Sequence, residues 1–259
     1  MDLVGRVAQL YRFPVKSMQG ESVERLTFTS AGAAGDRLYG VIDSATGKVL
    51  SAKRWAALLD ARAVLDDRTG TVTITLPDGT THAAGDPASD RALSAWLDHD
   101  VRLGGPEPDA ALAYELLMDP VDDSSEVWDF ATPAGSLVDL AGAHLLTTSS
   151  LEAATELAPE SDWSIHRFRP TTLIDTGDAG GFVEDAWVGA TVGLGDDAAV
   201  AVFMATPRCS MPPRAQPANG LTRDTAVSHV LRDHHDNNLG VYGAISAAGV
   251  VAVGDRVCR

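Results

Sequence analysis

Residues 200–209 of this 259-residue chain read VAVFMATPRC. The unbroken apolar run at 200–204 predicts a buried β-strand. Cys209 comes after the end of that strand, in a segment bracketed by prolines, whereas a structural cysteine usually lies within the apolar run itself. The adjacent Arg208 favours the thiolate form of Cys209. These residues alone leave both a functional and a structural cysteine open.

Outward from this strand, the pattern of the chain is mostly that of short strands with a few helices between them. Strands are expected at 4–13, 22–29, 38–43, 71–76, 166–175, 200–204, 240–247 and 250–258. Helices are expected at 86–97, from Ser149 with a Ser149–Glu152 capping box, and at 224–234. The polar stretch 119–133 is expected to be a loop or domain boundary. The sequence therefore predicts an α+β fold built on a β-barrel.

Charge and hydropathy exclude several classes of function. The formal net charge is −16 and no long basic run occurs, so neither nucleic acid nor an anionic membrane surface is an expected partner. No apolar run is long enough for a membrane span. The first residues lack the pattern of a secretory signal, so a cytoplasmic location is the default expectation. Cys258 lies in the last predicted strand and is expected to be structural.

A second group of residues has the chemistry of an anion site. Four cations stand at predicted strand ends or turns rather than on polar helix faces: Lys16, Arg37, Arg169 and Arg208. Together they are able to pair with a phosphate or carboxylate. Residues 147–150 (TTSS) open a predicted helix, where free backbone N–H groups either bind an anion or are capped by a side chain.

The order of the motifs resembles that of the MOSC-domain proteins, which include the mitochondrial amidoxime-reducing component and the C-terminal domain of molybdenum-cofactor sulfurase. The matching motifs are residues 11–18 (YRFPVKSM), 35–37 (GDR) with 41–43 (VID), 145–151 (LLTTSSL), 167–170 (RFRP), 184–189 (EDAWVG), 206–209 (TPRC) and 254–255 (GD). The resemblance implies an N-terminal MOSC β-barrel domain at residues 1–118 and a MOSC domain at 119–259, with a few peripheral helices.

This resemblance also implies a molybdenum cofactor, molybdopterin, with Cys209 as both the metal ligand and the catalytic residue. The cofactor-binding residues that it implies are Lys16, Ser17, Arg37, Thr148, Ser149, Ser150, Arg169, Thr171 and Arg208. Related reductases usually carry Asn where this chain has Thr171. A Thr-rich segment often follows the cysteine in the family, and residues 210–214 (SMPPR) replace it here.

The function implied is that of an oxidoreductase that reduces N-hydroxylated or N-oxide small molecules at a Cys-ligated molybdenum. The chain carries no iron–sulfur domain, so a separate protein is expected to donate the electrons. Two alternatives remain at this point. In one, Cys209 carries the cofactor or a persulfide sulfur for delivery. In the other, the chain is a cofactor-free MOSC protein of a specialised pathway.

Overall fold

The structure is a computed structural model that describes residues 2–119 and 121–259. Met1, in the predicted first domain, and Pro120, in the predicted loop 119–133, lie outside the described residues. In the part of the chain that is described, no helix combines the length and the apolar character needed to cross a membrane.

The α+β architecture expected from the sequence is confirmed. The strands in chain order are β1 (Leu3–Arg12), β2 (Glu21–Val23), β3 (Arg25–Thr29), β4 (Gly32–Ala33), β5 (Gly40–Asp43), β6 (Arg62–Asp66), β7 (Thr71–Thr75), β8 (Thr81–Ala83), β9 (Val101–Gly104), β10 (Ala113–Leu117), β11 (Val127–Ala131), β12 (Ala143–Thr147), β13 (Thr172–Asp175), β14 (Thr191–Leu194), β15 (Ala198–Pro207), β16 (Asn238–Ala247), β17 (Gly249–Ala252) and β18 (Arg256–Cys258). The α-helices are α1 (Pro87–Leu97), α2 (Thr148–Leu157) and α3 (Ala226–His234), and 3₁₀ turns occur at Ala56–Asp60, Ile165–Arg167, Val183–Trp187 and Pro217–Asn219.

The central feature is a β-barrel. Its sheet runs in the order β13-β12-β16-β15-β14-β18-β1-β2, and β1 also pairs with β13. Because β1 is bonded to β18 on one edge and to β13 on the other, the sheet closes on itself. Apolar side chains from several strands fill the interior, among them Val7, Leu10, Val200, Val241 and Val257.

A second core belongs to the N-terminal half of the chain. It packs β5, β9, the β6–β7–β8 sheet and helix α1 around buried residues such as Val41, Leu58 and Leu93. Helix α1 begins after Asp86, whose carboxylate accepts a hydrogen bond from the backbone of Ala88 at 2.8 Å, as the sequence predicts for an N-cap before proline. Met211 also packs into this core, so the loop after β15 bridges the barrel and the N-terminal half.

Several sequence expectations differ from the structure. The stretch 119–133, expected to be a loop or domain boundary, contains β11, a five-residue strand paired with β10. The sequence did not predict this strand, because polar residues flank so short an extended segment. The expected strand 250–258 is two strands, and β17 pairs with β3 rather than joining the barrel. The prediction of a capping box at Ser149 is wrong, since helix α2 is capped by Thr147, whose hydroxyl accepts a hydrogen bond from the Ser150 backbone N–H.

The barrel wall predicts one sharp effect on stability. A Cβ added at Gly243 would lie 2.2 Å from Val200 Cγ1 and 2.9 Å from the backbone oxygen of Ala201, on the adjoining strand. We expect Gly243→Ala to lower the free energy of unfolding by about 2 kcal/mol, because a buried sheet cannot absorb this overlap. Gly180→Ala, which meets no atom within 4 Å, is the matched control. Chemical denaturation measures both, and equal effects would contradict this packing.

A histidine after helix α3 ties the helix end to the 3₁₀ turn at Val183–Trp187. His235 Nε2 lies 2.6 Å from Asp185 Oδ2, and its ring stacks on Phe182 with centroids 3.7 Å apart. The hydrogen bond to Asp185 raises the pKa of His235, outweighing burial. The folded protein therefore holds the His235 proton more tightly than the unfolded chain does.

This linkage gives a pH-dependent stability. The contribution is fully present below the ordinary histidine pKa of about 6.5, and it is lost as pH rises through the folded-state value. We expect the stability advantage of the wild type over Asp185→Asn to shrink as pH rises from the ordinary histidine pKa of about 6.5 through the raised folded-state pKa of His235, as measured in denaturation series. Burial also raises the pKa of Glu184, but both proteins share that effect. An advantage that stays constant with pH would contradict the pairing.

Candidate functional site

A cavity of about 400 Å³ opens where the N-terminal half meets the end of β15. It brings together most of the residues predicted from the sequence. Those lining it are Lys16, Ser17, Arg37, Arg169, Thr171, Arg208 and Cys209. Thr148, Ser149 and Ser150 do not line it. Within the described residues, no group of three or more His, Cys, Asp and Glu side chains is arranged to hold a metal ion.

Cys209 is held in the cavity by bonds on both sides of it. The Arg208 backbone N–H donates to the Asn237 carbonyl at 2.8 Å, and Asn237 Nδ2 donates back to the Arg208 carbonyl at 2.8 Å. Beyond the cysteine, Ser210 Oγ donates to the Lys53 carbonyl at 3.0 Å. The thiol is free and half-buried. Its loop is thus fastened both to the barrel and to the N-terminal half.

Two lysines share one carboxylate beside this thiol. Asp139 lies 2.5 Å from Lys16 Nζ and 2.8 Å from Lys53 Nζ, and both ammonium groups stand over the Tyr114 ring. Burial alone would raise the pKa of Asp139, but the two lysines hold it far below its usual range. Burial alone would lower the pKa of Lys53, but Asp139 and then Cys209 raise it, so its ammonium charge is firmly held.

Lys53 and Asp139 were missed by sequence reasoning. Neither belongs to a motif or to a strand end with a clear pattern. The scarcity of lysine was the one signal for Lys53 in the sequence, because the chain has only three lysines. In the structure, two of the three line this cavity. Burial lowers the pKa of Lys16, and Asp139 offsets this only in part.

Arg169 is the least satisfied cation of the cavity. Its guanidinium lies 3.9 Å from the centroid of the Phe13 ring, and within residues 2–119 and 121–259 both of its buried terminal nitrogens have no hydrogen-bond partner. Burial and the charge of Arg37 lower the pKa of Arg169 to about 9. A buried guanidinium at neutral pH is therefore charged and unpaired, which is costly unless an anion binds to it.

The segment before Arg169 explains its position. The sequence predicts a strand through 166–175, but the structure has a 3₁₀ turn at Ile165–Arg167 and a strand only from Thr172. Arg169 has a φ of 56°, in the left-handed region that costs energy for residues with a side chain. With this left-handed backbone, the Arg169 side chain lines the cavity.

Two other arginines at the cavity commit their terminal nitrogens to the protein. Arg167 is fully buried and donates to the carbonyls of Asp162, Pro212, Arg214 and Thr222 at 2.8–3.2 Å. Arg208 donates to the carbonyls of Leu239 and Phe168, each at 3.1 Å. Both arginines hold the loops on either side of Cys209. Arg37 pairs with Asp36 and stands over the Phe13 ring.

Ser17 and Thr171 line the cavity with hydroxyls that already bond to backbone. Ser17 Oγ accepts from the Ala52 N–H at 2.9 Å, and the Ser17 backbone is left-handed with a φ of 72°. Thr171 Oγ donates to the His144 carbonyl at 3.0 Å and accepts from the His144 N–H at 3.1 Å. Both residues shape the wall of the cavity.

The start of helix α2 faces a carboxylate of this chain instead of the cavity. Glu184 accepts hydrogen bonds from the hydroxyls of Thr147 and Ser150, both at 2.6 Å, and Ser149 bonds to Thr147. Thr148 Oγ accepts from the Thr176 backbone. The structure therefore does not bring Thr148, Ser149 and Ser150 together with the other predicted residues, because Glu184 occupies the anion-binding end of this helix.

His144 and Tyr242 complete the polar wall, and sequence reasoning missed both. Their ring centroids are 5.2 Å apart. Burial and the charge of Arg208 lower the pKa of His144 well below its usual value, so its imidazole is neutral. Burial raises the pKa of Tyr242, so its phenol keeps its proton at neutral pH.

Protein-family models match two parts of the chain: the MOSC N-terminal beta barrel domain over residues 4–106 and the MOSC domain over residues 137–258. The chain belongs to the MOSC-domain family. MOSC domains are associated with proteins that bind the molybdenum cofactor. The cavity of this MOSC-domain protein lies where residues from the two matched parts meet.

No curated protein matches the chain. Among solved structures, it is similar to the YUAD protein from Bacillus subtilis, with a TM-score of 0.50 and 9% identity over 98% of this chain and 93% of that one. A hypothetical protein matches with a TM-score of 0.33 and 12% identity over 49% of this chain and 55% of that one. At this identity the first likeness shows a shared fold.

The two buried arginines give a paired prediction for the protein without cofactor. We expect Arg167→Leu to lower the free energy of unfolding by about 3 kcal/mol or more, since four carbonyls lose a charged donor. We expect Arg169→Leu to leave the unfolding midpoint unchanged or to raise it, because an unpaired buried charge is removed. Thermal and urea unfolding measure both. Similar losses in the two variants would mean that Arg169 has a partner within the folded chain.

Proposed function

We propose that this MOSC-domain protein is an oxidoreductase that binds the molybdenum cofactor and reduces N-hydroxylated or N-oxide small molecules. Cys209 is the proposed thiolate ligand of the metal. The observation that carries the proposal is that Cys209 shares one cavity with Arg169, a buried cation whose terminal nitrogens have no hydrogen-bond partner among the described residues. A soft thiolate and an unpaired guanidinium are the donors that a metal-bearing, phosphorylated ligand needs.

The residues of the cavity fit that group. Arg169, with Lys16 and Arg37, would hold the anionic part of the cofactor, and Lys53 adds a fourth cation that the sequence did not suggest. The walls at Ser17 and Thr171 would border it. Arg208 is proposed to act by keeping the cysteine loop in place. We leave the residues at the start of helix α2 out of this set.

Each group of the chain has a definite task in this proposal. When bound, the cofactor supplies the two-electron redox chemistry that removes an oxygen atom from the substrate. The two bonds between Arg208 and Asn237 fix the position of the Cys209 sulfur. Lys53, whose ammonium charge is firmly held, places a cation near the Cys209 sulfur. Tyr242 keeps its proton at neutral pH and offers its O–H as a hydrogen-bond donor.

The proposal includes a domain boundary between residues 118 and 119, a separate protein as the electron donor and a cytoplasmic location. The gap between the two family-model matches, at residues 107–136, supports a boundary in this region.

The oxygen removed from the substrate leaves as water, which takes two protons from solvent and two electrons from the electron-donor protein.

Molybdenum analysis tests the proposal directly. We expect protein purified from a host that makes the cofactor to hold about one molybdenum per chain, because Cys209 would provide a single thiolate ligand. Cys209→Ser is expected to lose the metal and the reduction of an aromatic hydroxylamine by an artificial electron donor. Cys258→Ser is the matched control, because its thiol lies in β18 and outside the cavity, and it is expected to keep both.

Two results would contradict the proposal. Metal-free wild-type protein from such a host would exclude cofactor binding. A loaded protein that reduces no substrate, but whose Cys209 gains the mass of one sulfur atom, would instead indicate a sulfur carrier.

A further inference from the structure

The hairpin of β10 and β11 stands at the mouth of the cavity and has two different faces. In its register Tyr114 lies opposite Phe130, and Leu116 lies opposite Trp128. Directly paired residues of an antiparallel sheet point to the same side, so these four side chains share one face. We call them the aromatic wall. The alternate pair, Glu115 and Asp129, points to the other side.

The polar face anchors the hairpin to the rest of the protein. Lys48 Nζ lies 2.7 Å from Asp129 Oδ1 and 3.3 Å from Glu115 Oε1. This ion-pair cluster lies on the face of the hairpin opposite the aromatic wall. The aromatic wall is therefore presented to the cavity side, where Tyr114, Leu116 and Phe130 line the opening.

The wall runs from the reactive end of the cavity out to solvent. Its inner member, Tyr114, is buried under the ammonium groups of Lys16 and Lys53. Phe130 stacks beside Tyr114 with ring centroids 6.2 Å apart, and 39% of its surface is exposed. Trp128, opposite Leu116 on the same face, lies just outside the cavity lining and is 49% exposed. The opening is thus apolar directly above a floor that carries cations and the Cys209 thiol.

Other large apolar residues continue this surface. Met118 and Leu140 also line the cavity, and they are 44% and 53% exposed. Single exposed apolar side chains are ordinary, but a contiguous group at the mouth of a polar cavity marks a binding surface. Its continuity with the cavity identifies the occupant as a small molecule whose polar end reaches the floor.

We propose that the aromatic wall binds the apolar body of the substrate, so that the protein selects N-oxides or N-hydroxylated compounds carrying an aromatic or bulky apolar group. Trp128 and Phe130 are the proposed specificity-determining residues. The identity of the polar group that reacts rests on the proposed function. Binding of the apolar body by the aromatic wall does not require turnover.

Two neutral probes with the same polar group test the inference: pyridine N-oxide and 4-phenylpyridine N-oxide. We expect the wild type to bind the phenyl compound about tenfold or more tightly, because the added ring is removed from water against the wall. In Trp128→Ser/Phe130→Ser the preference should fall to about twofold or less. Phe203→Ser is the matched control, because Phe203 is 47% exposed on β15 and belongs neither to the aromatic wall nor to the cavity lining. Titration calorimetry measures each affinity, with and without cofactor.

The outcomes separate this inference from the proposed function. The protein could hold no molybdenum and turn over no substrate, while its preference for the phenyl compound still depends on the aromatic wall. That result would contradict only the proposed function. Active protein whose preference is the same in the double variant, or protein that binds neither probe, would overturn the inference. It would also be overturned if the double variant changed the oligomeric state in sedimentation without changing the preference, since the wall would then be an interface between copies of the chain.

Discussion

The structure depends on the double pairing of β1. This strand bonds to β13 on one edge and to β18 on the other, and without it the sheet would be open. Its inward residues Val7 and Leu10 fill the barrel core. The segment that leaves β1 then brings Phe13 and Lys16 to the end of the barrel where β15 also ends. Because the barrel is closed, the segment that follows β1 meets the loop that carries Cys209.

Closure also concentrates positive charge in a chain whose net charge is −16. The protein treats its buried cations in two ways. Arg167 has carbonyl partners for its donors and holds the loop after Cys209, whereas the terminal nitrogens of Arg169 have none and the residue adopts a left-handed backbone. The first arrangement stabilises the fold, and the second costs stability at one place. Local strain and unsatisfied polar groups of this kind are concentrated at functional sites.

The sequence predicted what periodicity and local chemistry determine. The strand through Val200 follows from an unbroken apolar run, and the helix that opens at Asp86 and the loop position of Cys209 follow from the placement of prolines. The sequence did not predict what depends on distant partners. Ser150 is drawn away from the cavity by Glu184, which is 34 residues farther along the chain. Asp139 is tied to Lys16 across 123 residues, and no local pattern carries that information. The hairpin strand β11 was missed because its partner β10 precedes a polar turn that dominates the local composition.

The pairing of β17 with β3 has a consequence for the order in which the chain folds. β17 lies at Gly249–Ala252 and completes a sheet begun by Arg25–Thr29, while β18 at Arg256–Cys258 supplies a neighbour for β1. During synthesis both early strands are made more than two hundred residues before these partners, so their backbone edges stay open until the last strands leave the ribosome. Contacts this distant in sequence slow folding and prolong the exposure of unpaired strands. The first and last strands are therefore far apart in sequence but pair with each other in the fold, so the N-terminal half cannot complete its sheets before the C-terminal strands are made.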